Sequence, residues 1–147
     1  MEKVIALALK MAEEAFKMDE TPVGAVIFNS KTKEILCSAH NLTKTNKDAT
    51  AHAEILAIRE AGKMIDADNL SGYSIFASVE PCAMCACAIS GAKLDKLFFG
   101  AYDTKSGAVE NGAHIYNFVH HKPEIIGGLH ETDCATLMTN FFKEKRQ

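Results

Sequence analysis

Short apolar segments alternate along the chain with longer segments of helical periodicity, and this alternation constrains the fold more than any other feature of the sequence. The apolar segments, rich in β-branched and aromatic residues, predict strands at 23–28, 34–38, 73–79 and 94–99, with a shorter one at 125–126. Apolar residues at spacings of three and four predict helices at 1–18, 51–63, 82–90 and 133–146. Strands alternating with helices predict an α/β protein in which helices cover a sheet, although the strand order does not follow from the pattern.

The predicted elements have recognisable ends. Asn29–Lys31 favours a turn between the first two strands and so predicts a hairpin. Thr50 or Asp48 is expected to cap the second helix, because either side chain can accept a hydrogen bond from a free backbone N–H group. Pro81 suits the first turn of the third helix, and Gly91 suits its end.

The composition suits one domain over residues 1–147 with a packed core. Of the 147 residues, 48% are hydrophobic, a fraction ordinary for a globular protein that needs no disulfides to hold its core. The formal net charge is −3, from 16 Lys and Arg against 19 Asp and Glu. A domain that binds nucleic acid by charge alone is usually strongly basic, so any such contact is expected to be local and dependent on shape.

The sequence predicts a cytoplasmic protein with no membrane segment. Acidic and basic residues interrupt the stretch Met1–Lys17, which therefore does not resemble a signal peptide. No apolar run approaches the roughly 18–20 residues that a membrane span needs. Five cysteines are present, and two of them form the pair Cys82-x-x-Cys85. Without a secretory signal, such a pair indicates metal or redox chemistry rather than a disulfide framework.

Two short segments carry the residues best suited to bind a metal ion, His52-Ala53-Glu54 and Pro81-Cys82-Ala83-Met84-Cys85. Cys82 and Cys85 are three residues apart at the start of a predicted helix, so both sulfurs can reach one ion, and the helix dipole favours thiolates there. His52 can supply a third ligand from the neighbouring helix. Three protein ligands leave one tetrahedral position open for water, as in a catalytic zinc site, and predict one zinc per chain.

Glu54 is suited to catalysis rather than to metal binding. It follows His52 by two residues, about 200° around a helix, so it need not ligate the ion yet can reach a water or a substrate. A carboxylate beside a zinc-activated water can take a proton from that water and pass it to a leaving amine. The arrangement therefore indicates hydrolytic deamination with Glu54 as the catalytic residue.

Each of these features also has a structural interpretation. Cys-x-x-Cys can be half of a four-cysteine zinc site or a redox pair, but the sequence contains no second pair, and a redox role leaves His52-Ala53-Glu54 unexplained. Cys87 lies about 140° around the helix from Cys82 and is expected to be a packing residue. Cys37 and Cys134 are expected to be small core residues.

Two further polar features also have a structural interpretation. Glu80 could be a second catalytic acid, but a position at a helix N-terminus explains it better. His120 and His121 are adjacent at a loop end and are expected to be exposed rather than ligands for metal or phosphate.

The motifs resemble those of zinc-dependent nucleobase deaminases, and over nearly its whole length the chain resembles bacterial tRNA-specific adenosine deaminases. The likeness is carried by residues 21–26, 50–55, 80–86 and 99–108 and by Phe141-Phe142. It implies a three-layer α/β/α cytidine-deaminase-like fold with a mixed central sheet, and a homodimer. It also implies that the chain deaminates the wobble adenosine of a tRNA anticodon stem-loop to inosine, with attack at C6 and proton transfer by Glu54.

The resemblance also assigns binding residues. Asn41 is expected to contact the purine or its ribose, the backbone near Ala53 the base edge, and Asp103 and Lys105 the anticodon loop. Cys87 stands where the family usually has glycine, and residues 109–123 match the family less well. Two other functions remain open at this stage: deamination of a free base or nucleotide (guanine, cytosine or deoxycytidylate), and a catalytically silent zinc- or RNA-binding subunit.

Overall fold

The computed structural model describes residues 1–145. The helices are α1 (Glu2–Lys17), α2 (Ala53–Ile65), α3 (Ala83–Gly91) and α4 (Glu131–Lys145), and Ile115–Asn117 forms one 3₁₀ turn. The strands are β1 (Gly24–Asn29), β2 (Ile35–His40), β3 (Tyr73–Val79), β4 (Lys96–Ala101) and β5 (Glu124–Ile126). Every predicted strand and helix is therefore present. No helix among residues 1–145 combines the length and hydrophobicity needed to cross a membrane.

The five strands form one mixed sheet in the order β2-β1-β3-β4-β5. β1 is antiparallel to both β2 and β3, so the predicted hairpin is confirmed, whereas β3, β4 and β5 run parallel. Because of these directions, the ends of β2, β3 and β4 lie at the same edge of the sheet as the start of β1. The loops that carry the motifs leave from this edge.

Helices cover both faces of the sheet, which gives the three-layer α/β/α arrangement. The side chains of β1 alternate between two hydrophobic clusters: Ala25 and Ile27 pack with α2 and α3, while Val26 and Phe28 pack with α1 and α4. All four are fully buried. A strand buried on both faces needs apolar residues at every position, and this explains why β1 is one continuous apolar run.

Helix α1 lies unusually close to the sheet where β1 begins. A side chain at Gly24 would overlap the carbonyl oxygen of Ala8, so only glycine fits between the strand and the helix backbone. The buried face of α1 is mostly alanine, including Ala8, Ala12 and Ala15. These small residues let the helix approach the sheet.

Helices α2 and α3 begin later than predicted. The cap of α2 is His52, whose backbone is extended, and not Thr50 or Asp48, which bond to one another through the Asp48 carboxylate. Helix α3 begins at Ala83 with Cys82 as its extended cap, so Pro81 precedes the helix instead of occupying its first turn.

The remaining differences are small shifts of element boundaries. Gly91 is the last residue of α3, and the left-handed turn after the helix falls to Lys93. β4 starts and ends two residues later than predicted, and α4 begins two residues earlier. Arg146, predicted as the last residue of that helix, lies outside the described residues.

Candidate active site

The two segments singled out from the sequence meet where α2 and α3 begin. The Nδ1 atom of His52 lies 3.6 Å from the sulfur of Cys82 and 3.5 Å from the sulfur of Cys85. A tetrahedral zinc ion with ordinary bond lengths, near 2.3 Å to sulfur and 2.05 Å to nitrogen, would separate such a nitrogen and sulfur by about 3.5–3.6 Å. All three donor atoms lie within 4.8 Å of one another. The two nitrogen–sulfur distances therefore fit a zinc ion bound by these three residues.

The two sulfurs differ in their electrostatic surroundings. A hydrogen bond from the Cys85 thiol, assisted by a contact with His52, lowers the pKa of Cys82 to about 4. The same hydrogen bond, together with burial, raises the pKa of the Cys85 thiol. Cys82 is thus a thiolate at neutral pH, which is the form that binds metal ions.

Glu54 lies in the first turn of α2, beside the three possible metal ligands, and its side chain is buried. Removal from water raises the pKa of Glu54 to about 7, and the nearby Cys82 thiolate acts in the same direction. Desolvation disfavours the charged form of a carboxylate. A carboxyl group placed in this way can both accept and release a proton near neutral pH.

These groups lie in a cleft of about 840 Å³ at the strand edge described above. Every site residue predicted from the sequence lines it except Cys85, which is buried beneath: Asn41, His52, Ala53, Glu54, Cys82, Asp103 and Lys105. Asn41 and Thr43 line the cleft from the loop after β2, and residues 101–106 line it from the end of β4 and the loop that follows. Helix α4 contributes residues between Ala135 and Lys145. The cleft is larger than a single base requires.

Asn41 stands at the end of β2 and is almost completely buried. Its backbone N–H donates to the carbonyl oxygen of Val23 at 3.2 Å, which fixes the start of the loop after β2. The same loop is held by Glu20, a fully buried carboxylate that accepts hydrogen bonds from the N–H groups of Lys44 (3.1 Å) and Thr45 (2.7 Å). Sequence reasoning missed Glu20, because its partners lie more than 20 residues further along the chain.

Asp103 and Lys105 lie on the opposite side of the cleft, in the loop after β4. One carboxylate oxygen of Asp103 accepts hydrogen bonds from the backbone N–H groups of Lys105 (3.0 Å) and Ser106 (2.9 Å). Asp103 therefore shapes its own loop in addition to facing the cleft. Lys105 is exposed.

Glu80 is a second buried carboxylate that sequence reasoning did not place correctly. It precedes α3 by three residues, so it is not at the helix N-terminus, and its oxygens accept hydrogen bonds from the loop after β4. Burial opposes the charged form, but hydrogen bonds from the Asn111 side chain and from the backbone outweigh it and lower the pKa of Glu80. The sequence shows only an acidic residue two positions before Cys82, and its hydrogen-bond partners lie 23–31 residues further along the chain.

The other cysteines and histidines lie outside the site. Cys37 and Cys134 are buried, as predicted. Cys87 does not belong to the group of three possible ligands. Its side chain is exposed, so the prediction that it is a packing residue is wrong. His120 is exposed, whereas the Nε2 atom of His121 lies 2.7 Å from the carbonyl oxygen of Leu94 in a structural contact.

Comparison with known proteins identifies the family. A family model described as the cytidine and deoxycytidylate deaminase zinc-binding region matches residues 1–101. The tRNA-specific adenosine deaminase of Rickettsia bellii (strain RML369-C) is 47% identical over 141 residues, an alignment that covers 95% of this chain and 97% of the relative. The chain belongs to the tRNA-specific adenosine deaminases.

Solved structures agree with this membership. A structure from a study of A-to-I editing by tRNA:A34 deaminases at the wobble position of transfer RNA superposes with a TM-score of 0.90 at 37% identity, covering 93% of this chain and 99% of that one. This chain therefore has the cytidine-deaminase-like fold and is a zinc enzyme. A guanine deaminase from Nitrosomonas europaea shares the fold alone, with a TM-score of 0.83 at 20% identity over 94% of this chain and 82% of that one.

Proposed function

We propose that the chain hydrolyses the exocyclic amine of the wobble adenosine in a tRNA, which yields inosine and ammonia. The observation that carries this proposal is the buried, non-ligating carboxylate of Glu54 beside three residues spaced for zinc, at the bottom of a cleft. A structural zinc site has no use for such a carboxylate. The relatives named above, which match almost the whole chain, supply the substrate class.

We assign the metal to His52, Cys82 and Cys85, one zinc per chain. When bound, zinc supplies an activated water at neutral pH. Glu54 then moves protons: its carboxylate accepts one proton from the attacking water and delivers it towards the leaving amine. Burial of this carboxyl group keeps bulk water from competing for the proton.

We assign adenosine binding to the two sides of the cleft. The amide of Asn41 can hydrogen-bond the purine or its ribose. The first turn of α2 leaves backbone N–H groups without partners in the helix, and those near Ala53 can meet the base edge. Asp103 and Lys105 can contact neighbouring nucleotides, and α4 adds Phe142, which is 46% exposed and can stack on an unpaired base.

We also propose that residues 1–147 act as one domain in a cytoplasmic homodimer. Hydrophobic clusters on both faces of a single sheet support one domain. Phe118 offers a contact for a second copy, because its side chain is 80% exposed and aromatic side chains bury a large apolar area at interfaces. Light scattering of the purified protein should give the mass of two chains, and a monomeric mass would contradict the dimer.

The substrate is tested by measuring kcat/KM side by side on four compounds: an anticodon-loop hairpin with a wobble adenosine, free adenosine, guanine and cytosine. The hairpin should react far faster, because contacts remote from the reacting atom supply binding and orientation that a small molecule lacks. Faster turnover of guanine or cytosine than of the hairpin would refute the tRNA assignment and leave a free-base deaminase.

A pair of lysine variants tests the RNA contact. Lys105→Ala should weaken use of the hairpin and make it less dependent on salt, because one phosphate contact is lost. Lys31→Ala is the matched control, since Lys31 is also exposed but lies in the turn after β1, at the opposite end of the sheet. Equal effects of the two variants would contradict a specific role for Lys105.

A further inference from the structure

The carboxylate of Glu80 is the most heavily hydrogen-bonded side chain beside the active site. Its Oε1 atom accepts hydrogen bonds from the Asp103 backbone N–H (3.1 Å) and from the Asn111 side-chain amide (2.7 Å). Its Oε2 atom accepts three more, from the backbone N–H groups of Val109 (3.1 Å), Glu110 (2.8 Å) and Asn111 (2.9 Å). All five donors belong to residues 103–111, hereafter the clasped loop.

This hydrogen bonding excludes Glu80 as a proton carrier for substrate. An ionised carboxylate offers about four lone-pair positions, and five N–H donors already occupy them. Glu80 is also only 3% exposed. The group that the sequence left open as a second catalytic acid therefore has no free acceptor position for a water or a base.

The clasped loop is built closely around this carboxylate. A side chain at Gly107 would overlap the carbonyl oxygen of Asp103 and come within 2.7 Å of Glu80 Oε1. Ala108, the next residue, makes a further hydrogen bond to the segment before α3: its N–H donates to the carbonyl oxygen of Pro81 at 2.9 Å. Residues 80 and 81 thus hold both ends of the loop.

The same short segment leads directly into the metal site. Cys82 follows Glu80 by two residues, and the clasped loop lines the cleft through residues 103–106. The segment 80–82 therefore sets the distance between the metal ligands and the loop that faces the substrate. A change in the loop's anchor would move the loop relative to the reacting atoms without touching those atoms.

We propose that Glu80 is a positioning residue for RNA deamination, acting through the clasped loop on the placement of the substrate. This inference rests on the proposed function. Misplacement of a substrate by about 1 Å can cost about 10²-fold in rate, so loss of the anchor is expected to be visible in catalysis even where the protein stays folded.

The test is Glu80→Gln, which keeps the size of the side chain but turns an N–H₂ group towards N–H donors. We expect kcat/KM on the hairpin to fall about 10²-fold, with zinc content unchanged and faster hydrogen exchange at the amides of Val109, Glu110 and Asn111. The loss should be smaller on a trinucleotide with a central adenosine, which has fewer contacts with the loop. A merely structural role would instead lower turnover of both substrates equally, in proportion to folded protein.

Asp95→Asn is the matched control. Asp95 also holds a turn, since it accepts hydrogen bonds from Ser30 Oγ (2.7 Å) and from the Gly72 N–H (3.1 Å), but it lies at the far end of the sheet. This variant should lose stability without losing kcat/KM. A loss of kcat/KM equal to that of Glu80→Gln would overturn the proposal.

A second variant keeps the proposal testable if Glu80→Gln fails to fold. Asn111→Ala removes one of the five hydrogen bonds and should lower kcat/KM on the hairpin in the same direction but by less. Where both variants fold, their combination should be no worse than Glu80→Gln alone, because both changes act through one loop. Unchanged hairpin turnover in either single variant would overturn the positioning role.

Failure of the wild-type protein to deaminate the hairpin would refute the proposed function instead, and the hydrogen-exchange result would be unaffected.

Discussion

Replacing Glu20 by glutamine should destabilise the protein measurably, because the change removes a charge and turns one of two acceptor oxygens into an N–H₂ donor. The two oxygens of Glu20 accept hydrogen bonds from Lys44 N–H at 3.1 Å and Thr45 N–H at 2.7 Å, and the side chain is fully buried. Glutamine can keep one of these bonds, but its N–H₂ group then faces the second donor. A hydrogen bond to a charged group contributes about 1.5–3 kcal/mol, and an unpaired buried donor adds to the loss, so we expect a cost of about 2–4 kcal/mol.

Thermal unfolding monitored by circular dichroism, at constant zinc concentration, measures this loss of stability. For a chain of this size, each kcal/mol lowers the melting temperature by roughly 2–4 °C, so the expected decrease is roughly 5–15 °C. Glu34→Gln is the control, because Glu34 is exposed and its replacement should change little. A melting temperature within about 1 °C of the wild type for Glu20→Gln would refute the reasoning about the buried carboxylate.

The pH dependence of the same difference gives an independent check. Burial opposes the charged form of Glu20, but hydrogen bonds from Thr45 and Lys44 outweigh it and lower its pKa below the ordinary value. A carboxyl group whose pKa is lowered by folding stabilises the protein fully above its unfolded pKa, and this stabilisation is lost as the pH falls through the folded pKa. The stability difference between wild type and Glu20→Gln should therefore be constant near neutral pH and shrink below about pH 4.5. A difference that grows on acidification would contradict this sign.

Three further predictions address the metal site, the catalytic step and the packing of α1. Cys87→Ser should retain about one zinc per chain in elemental analysis, whereas Cys85→Ser should lose it; loss of zinc from the Cys87 variant would overturn the assignment of three ligands. Glu54→Ala should lower kcat by at least about 10²–10⁴-fold while zinc content stays normal, and near-normal turnover would mean that another group moves the proton. Gly24→Ala should destabilise the protein because the added carbon overlaps the backbone of α1, whereas Gly91→Ala, with open space around it, should be neutral or slightly stabilising in urea unfolding.

The grouping of the three possible metal ligands could be predicted from the sequence because its geometry is mostly local. Cys82 and Cys85 are brought together by one helical turn, and His52 needs only to stand at the start of a neighbouring helix. The fold class was also predictable, since alternation of strands and helices leaves few architectures. The order of the strands was not, because the pairing of β1 with β3 joins residues about 50 positions apart, and no local pattern records it.

Glu20 and Glu80 show why the rest of the site could not be predicted. Acidic residues are usually exposed, and a buried one is recognisable only by its partners. Here most of those partners are backbone N–H groups, which every residue except proline carries, and they lie 23–31 residues away. Glu20 and Glu80 can therefore be seen in the sequence, but the loops to which they hydrogen-bond cannot be predicted from it.

The two buried carboxylates also bear on how fast an RNA can bind and leave. Glu20 holds one loop beside the cleft and Glu80 holds the other, so both loops are ordered before an RNA arrives. Binding then does not incur the free-energy cost of ordering them, and association needs no slow rearrangement of the protein. RNAs of different loop sequence should consequently associate at similar rates, and the enzyme should distinguish them by how long each remains bound.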